Sequence, residues 1–287
     1  MTILITGASG FLGSYLVEKL VDAGQDILCT KFDITKRENF DSLPNSIDTV
    51  VHLAARVPKV SMPALMRDCI EVNGLGTNNI IGWCLGRGVK KVIYASTQMM
   101  YGTPQYLPVD EEHPVLPQGH YSGYSISKYL GELFCERARV DFQLNCISLR
   151  FSRIYGYGEN PGFVLTKFID LARSEKTLTV YGEGKSKRDL LYVKDAVNAI
   201  MLALDSPYQG IYNIGSGQIV SMIELAQTVS KVFSGSMSSV LCSSTGSGSE
   251  ADFYLDIRKA QRDLGFVPQY SLESGLADYR KEVLNHV

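Results

Sequence analysis

Apolar and polar positions alternate along the first half of this chain in two distinct rhythms. Short apolar runs at Thr2–Thr6, Asp26–Thr30, Thr49–Leu53, Val89–Ser96 and Asn145–Phe151 predict strands. Between them, Leu12–Ala23, Cys69–Leu85 and Ser125–Ala138 carry apolar residues at helical spacing. Strand and helix in turn predict a parallel sheet with helices on both faces.

The rhythm loosens after Tyr155. Leu178–Tyr181 reads as a strand and Val193–Leu204 as a helix, on either side of Gly182-Glu183-Gly184. The Ser/Gly-dense stretch Ser234–Ser249 reads as a long loop. Arg258–Leu264 and Leu272–Leu284 read as two amphipathic helices. There is no internal repeat. The expected organisation is a dinucleotide-binding domain over 1–152, with 188–206 returning to it. A mainly substrate-binding domain over 153–287 covers the carboxyl edge of the sheet.

Composition narrows the function classes. A chain of 287 residues is long enough for a sizeable core. A net charge of −2 gives no reason to expect nucleic acid, which usually asks for a basic patch. No apolar run approaches the roughly 18–20 residues of a membrane-spanning helix, and none is expected. Met1–Ile5 run straight into a glycine turn without a charged segment, so no secretory leader is expected. Six scattered cysteines without a C-x-x-C pair suggest inert thiols in a reducing compartment, and the four histidines lack ligand spacing. The expectation is a cytoplasmic protein without a metal site.

Gly7, Gly10 and Gly13 stand between the first strand and the first helix, in ILITGASGFLGSYLVEKL. Glycines there let the backbone approach a pyrophosphate, and the helix start adds free N–H groups and partial positive charge. This context points to a dinucleotide.

The G-x-x-G-x-x-G spacing occurs with VVHLAA at 50–55, Y-x-x-x-K at 124–128 and YNIGSG at 212–217. Together they resemble the extended short-chain dehydrogenase/reductases, and more narrowly the nucleotide-sugar epimerase/dehydratase family. The resemblance implies a doubly wound α/β (Rossmann) sheet with a smaller C-terminal substrate domain, and a homodimer built through a helix bundle. It also implies a nicotinamide cofactor held by Gly7, Ser9, Gly10, Phe11, Leu12 and Gly13. Asp33 and Ile34 would meet the adenine, with Leu53, Ala54, Ala55, Asn73 and Phe151 completing the cofactor site.

Tyr124 and Lys128, four apart, share one face of a predicted helix. A neighbouring ammonium and an oxidised nicotinamide lower the pKa of a tyrosine, so it can exchange a proton with a sugar oxygen. The resemblance gives Lys128 a ribose contact as well. In STQMMYG (96–102) the family register against Tyr101-Gly102 selects Thr97, rather than Ser96, as the hydroxyl sharing the sugar oxygen with Tyr124. Related 4,6-dehydratases follow that threonine with Asp-Glu, where this chain has Gln98 and Met99. Neither side chain exchanges protons, so the site is expected to move a hydride and one proton. Met99 and Met100 fit pocket wall and core packing equally well.

NAD sites usually carry an acid at the end of the second strand, where this chain has Lys31. A cation there suits a 2′-phosphate, so NADP(H) is expected over NAD(H). On the substrate side, the resemblance assigns Arg188 to the diphosphate and adds Tyr181. It also places Arg153 where an asparagine commonly touches the nucleotide-sugar. The expected function is an NADPH-dependent 4-ketoreductase of a nucleotide-activated sugar. The alternatives are a nucleotide-sugar 4-epimerase with tightly held NAD and, from another class, a cofactor-sensing regulatory protein.

Overall fold

Ile3, Leu4 and Ile5 are all fully buried, although adjacent residues of a strand point to opposite faces. Only a sheet covered on both sides permits that. The computed structural model describes residues 1–57, 63–118, 122–234, 239–243 and 251–285. Its first half runs β1 (Thr2–Thr6), α1 (Phe11–Asp22), β2 (Asp26–Thr30), β3 (Thr49–His52), α2 (Pro63–Cys69), α3 (Thr77–Arg87), β4 (Lys91–Thr97), α4 (Ser122–Phe142) and β5 (Asn145–Phe151). Then come β6 (Arg153–Tyr155), α5 (Val164–Arg173), β7 (Leu178–Tyr181), β8 (Lys187–Arg188), β9 (Leu190–Tyr192), α6 (Val193–Asp205) and β10 (Gly210–Ile214). The chain continues through β11 (Val220–Ser221), α7 (Met222–Phe233), β12 (Val240–Ser243), α8 (Arg258–Leu264) and α9 (Leu272–Asn285).

Six strands make one parallel sheet in the order β10-β5-β4-β3-β1-β2. Side-chain parity divides the core. Ile3, Ile5, Val51, Ile93, Ile147 and Leu149 pack with Leu16 and Leu20 of α1 and Ala196 and Ile200 of α6. Leu4, Val50, Val92, Tyr94 and Cys146 face the other way, onto Ile80, Ile81 and Cys84 of α3 and Cys135 and Ala138 of α4. Each such aliphatic side chain gains about 1.5–3 kcal/mol by leaving water. This is the doubly wound sheet expected from the sequence. The chain leaves β1 for β2 on one side and resumes with β3 on the other. That reversal opens a crevice above the carboxyl ends of β1 and β3.

A third apolar cluster joins Leu165, Phe168 and Ile169 of α5, Leu178 and Val180 of β7, Leu225 and Val229 of α7, and Leu276 of α9. A polar clasp ties α9 back to α1. The Tyr15 hydroxyl bonds Glu282 and also donates to the Tyr157 carbonyl at 3.1 Å. Lys194 bridges Asp278 at 2.5 Å and Glu282 at 2.9 Å.

Three sequence expectations change. Cys69–Leu85 is helical throughout but not regular: Ile70–Gly76 are wound as a π-helix between α2 and α3. Ser234–Ser249 is not wholly loop, because β12 lies inside it and pairs with β7, Val240 opposite Leu178. Pairing to an existing strand outweighs the composition there; 235–238 and 244–249 fall outside the described residues. Helices α5 and α7 stand where no element was predicted, α7 opening on a capping box between Ser221 and Glu224. Among the described residues, no helix is long and apolar enough to cross a membrane.

Candidate active site

The turn after β1 is shaped by what it excludes. Gly7 has φ +73°, and a Cβ there would lie 2.6 Å from the Ala54 nitrogen. A Cβ on Gly13 would lie 2.2 Å from the Gly7 carbonyl oxygen. The glycines therefore let α1 start tight against β1 and β3, with its first N–H groups facing the crevice. A phosphate group fits such a cradle, through N–H donors and the helix dipole together.

A cleft of about 1500 Å³ runs from this cradle across the carboxyl edge of the sheet. Gly7, Ser9, Gly10, Phe11, Leu12 and Gly13 line one end, with Leu53 and Ala55 beside them. Thr97, Tyr124, Lys128, Phe151, Arg153, Tyr181 and Arg188 line the same cleft. Ala54 lies outside the walls of the cleft, its N–H donating to the buried Thr6 hydroxyl at 3.3 Å.

The residues of STQMMYG part company at the end of β4. Ser96 turns back into the protein, its hydroxyl donating to Glu132 at 2.8 Å. Thr97, on the opposite parity, lines the cleft with Tyr124, and its hydroxyl, which accepts from the Met99 N–H at 3.3 Å, acts to lower the Tyr124 pKa. Met99 lines the cleft while Met100 is fully buried, so the two thioethers split between wall and core. The Gln98 Oε1 is buried without a partner among the described residues.

Burial pushes the Tyr124 hydroxyl up to about 12, opposed by the Thr97 hydrogen bond and the nearby Arg153 charge. Lys128 is 2% exposed, and burial pulls its ammonium down to about 7 against the pull of Glu132. Its Nζ lies 4.2 Å from the centre of the Tyr94 ring, a cation–π contact that offsets part of the lost hydration.

Asn73 takes a different place from the expected direct contact. Its amide nitrogen donates to the Arg56 carbonyl at 3.0 Å and to the Ser127 hydroxyl at 2.9 Å. Its oxygen accepts from the Arg56 N–H at 2.6 Å. Ser127 in turn donates to the Tyr124 carbonyl at 2.7 Å. Asn73 thus locks the loop after β3 to the helix that carries Tyr124 and Lys128.

Beyond β2, Lys31 is exposed at the sheet's carboxyl edge, one residue past Thr30, which pairs with Thr6. Asp33 accepts from the Thr35 N–H at 2.9 Å and the Thr35 hydroxyl at 2.7 Å. The Ile34 side chain is buried in the core. These three lie outside the walls of the cleft. Arg188 donates to the carbonyls of Lys187 and Ala251 at 2.8 and 3.0 Å.

Sequence reading missed Arg56, Ser127, Glu159 and Phe163. Glu159 holds Arg153 at 2.8 Å, and the Arg153 guanidinium stacks 3.6 Å from the centre of the Phe163 ring. No motif marks either residue. Ser127, inside Y-x-x-x-K, was open to recognition as a helix-face neighbour.

The sequence profile of the NAD dependent epimerase/dehydratase family matches residues 3–215. The chain belongs to this family. It is 31% identical over 309 residues to the putative UDP-glucose 4-epimerase of Methanocaldococcus jannaschii, covering 99% of this chain and 97% of that protein. The fold matches the crystal structure of Thermotoga maritima UDP-glucose 4-epimerase with UDP-glucose at TM-score 0.86, 26% identical, over 99% of this chain and all of that one. It matches MoeE5 in complex with UDP-glucuronic acid and NAD at TM-score 0.84, 27% identical, over the full length of both. Family membership leaves the reaction to the side chains of the cleft.

Proposed function

We propose that the protein is a nucleotide-sugar 4-epimerase working with a nicotinamide dinucleotide. The observation that carries this reading is the Thr97–Tyr124 hydroxyl pair in one cleft with Lys128 and the glycine cradle. Gln98 and Met99 stand where water loss would need an acid and a base. A bound nicotinamide supplies a hydride acceptor and, once reduced, a hydride donor. Tyr124 takes the proton of the sugar 4-hydroxyl and returns it to the same oxygen, while Thr97 fixes that oxygen. The Lys128 ammonium supports the phenolate.

In this reading the cradle residues hold the pyrophosphate, Asp33 and Ile34 border the adenine, and Arg188 with Tyr181 holds the nucleotide-sugar. Residues 1–152 with 188–206 form the cofactor unit, and 153–287 mainly the sugar unit. The reading reverses the expected order of ketoreductase and epimerase. Its support is that the relative and the neighbour above carry 4-epimerase names, and that MoeE5 is in complex with NAD. The second reading, an NADPH-dependent ketoreductase, rests on Lys31 at the ribose end. The intact Tyr–Lys pair speaks against a purely cofactor-sensing protein.

Conversion of UDP-glucose to its 4-epimer without added cofactor tests the proposal. A requirement for one NADPH per turnover, on a 4-keto sugar only, overturns it.

A homodimer is part of the proposal. Ile126, Leu133 and Val140 recur every seven residues along α4 and are exposed, as are Met66 and Leu75 nearby. Such a stripe suits a helix bundle between two copies. A monomer in light scattering at micromolar concentration would refute it.

A further inference from the structure

Arg153 and Glu159 put a charged pair into the wall of the cleft. Phe151 pairs with Thr97 at the end of the sheet, so Arg153 emerges just beyond the hydroxyl pair, and its charge acts on the Tyr124 hydroxyl. Its side chain is 34% exposed into the cleft, braced by Phe163 beneath and by Glu159 Oε2 at 2.8 Å. The Glu159 side chain is only 3% exposed, yet its Oε1 has no hydrogen-bond partner among the described residues. A buried polar atom left so in a cleft wall asks for a ligand.

We propose that Arg153 and Glu159 form a subsite for a carboxylate on the sugar, so that the preferred substrate is a nucleotide-activated uronic acid. The proposal rests on the nucleotide-sugar reading above. In a hexose the 6-carboxylate sits one carbon removed from the reacting C4, which is where a charge adjoining Tyr124 would meet it. An arginine fork suits that carboxylate through its paired donors.

Glu159 completes the site. With Arg153 and Glu159 both ionised the pair is neutral, and an incoming carboxylate would face an uncompensated anion. A protonated Glu159 removes that repulsion: Oε2 still accepts from Arg153, and the guanidinium keeps its full charge towards the cleft. Burial already pushes this carboxyl up to about 7 against the pull of Arg153 and the Gly156 N–H. The other titratable groups whose charge bears on it are Tyr155 and Tyr279, themselves shifted upward by burial. Tyr124 is the group facing Arg153 from α4. Uronate binding therefore carries proton uptake slightly above neutral pH, and binding of a neutral sugar does not.

The test measures binding of UDP-glucuronic acid, UDP-glucose and UDP to the full chain by calorimetry in two buffers of different ionisation heat. Wild type should favour the uronate over UDP-glucose by roughly tenfold or more, with uptake of a substantial fraction of a proton. Arg153→Asn paired with Glu159→Gln, which removes both charges together, should abolish the preference and leave UDP affinity unchanged. Glu159→Gln alone should keep the preference and lose the uptake. Equal losses for all three ligands in the double variant would make Arg153 a diphosphate anchor and overturn the proposal. So would uptake that survives Glu159→Gln, or a wild type without preference. Failure of both UDP and UDP-glucose to bind would overturn the nucleotide-sugar reading itself, and the subsite with it.

Discussion

Arg150 and Glu132 form a buried ion pair between β5 and α4, with side chains 3% and 2% exposed. The Arg150 Nε donates to both carboxylate oxygens, at 3.2 and 3.1 Å. Its Nη1 donates to the Tyr101 hydroxyl at 2.7 Å, which itself donates to Asn213 at 2.7 Å. With Ser96 also on Glu132, one network joins both sides of the candidate site: the end of β4 and the helix of Tyr124 and Lys128.

Breaking half of that pair should be worse than removing all of it. Glu132→Gln strands a buried guanidinium and should cost about 3–5 kcal/mol in urea unfolding. Glu132→Leu combined with Arg150→Met removes both charges and should be the more stable variant. A double variant weaker than Glu132→Gln would show that the pair contributes more than charge balance.

Tyr124→Phe removes the proposed proton carrier and leaves the cradle intact. Turnover should fall by roughly 10²–10⁴-fold while nicotinamide binding, followed by fluorescence, stays unchanged. Near-normal turnover would assign the proton to another group.

Lys128→Met should trade activity for stability. The lysine pKa is pulled down to about 7 by burial, whereas the unfolded chain titrates near 10.5. Between those values the unfolded state binds the extra proton, so wild-type stability rises with pH across that window. The gain in the variant should be largest at pH 7 and below, on the order of a few kcal/mol, and vanish towards pH 10.5. Unfolding at two pH values measures it, and a gain independent of pH would remove the charge argument.

Lys31→Asp separates the two functional readings. A cation beside the ribose favours a 2′-phosphate, and an acid repels it. The ratio of NADP⁺ to NAD⁺ affinity should move towards NAD⁺ by about 10–100-fold, or about 1.4–2.7 kcal/mol. An unchanged ratio leaves Lys31 a surface cation and takes away the support for an NADPH-dependent reductase.

The strands read well from sequence wherever burial on both faces demands an unbroken apolar run. β1 and β5 fall on their expected residues for that reason, while β2 and β7 match theirs although neither is buried on both faces. Periodicity could not register the π winding of Ile70–Gly76, since the helix runs on through it with the apolar pattern nearly intact. α7 was legible through Ser221 and Glu224, whose reciprocal cap is written in the spacing. β12 was not, because a short strand in a serine-rich stretch depends on β7 being there. In the site, Thr97 comes from the family register against Tyr101-Gly102, and its opposite parity to Ser96 is what the structure adds. The Glu159 contact follows from how the chain folds back after β6, which no spacing of residues encodes.

The clasp between Tyr15 and Glu282 joins positions 267 residues apart. Its consequence concerns time rather than shape. The surroundings of α1 cannot be complete until residue 282, 267 positions after Tyr15, has been made. A contact of such range is slow to form, and the half-built sheet stays open meanwhile. Helix α9 therefore acts as a latch on α1, and the sheet that α1 covers stays open until that latch is made.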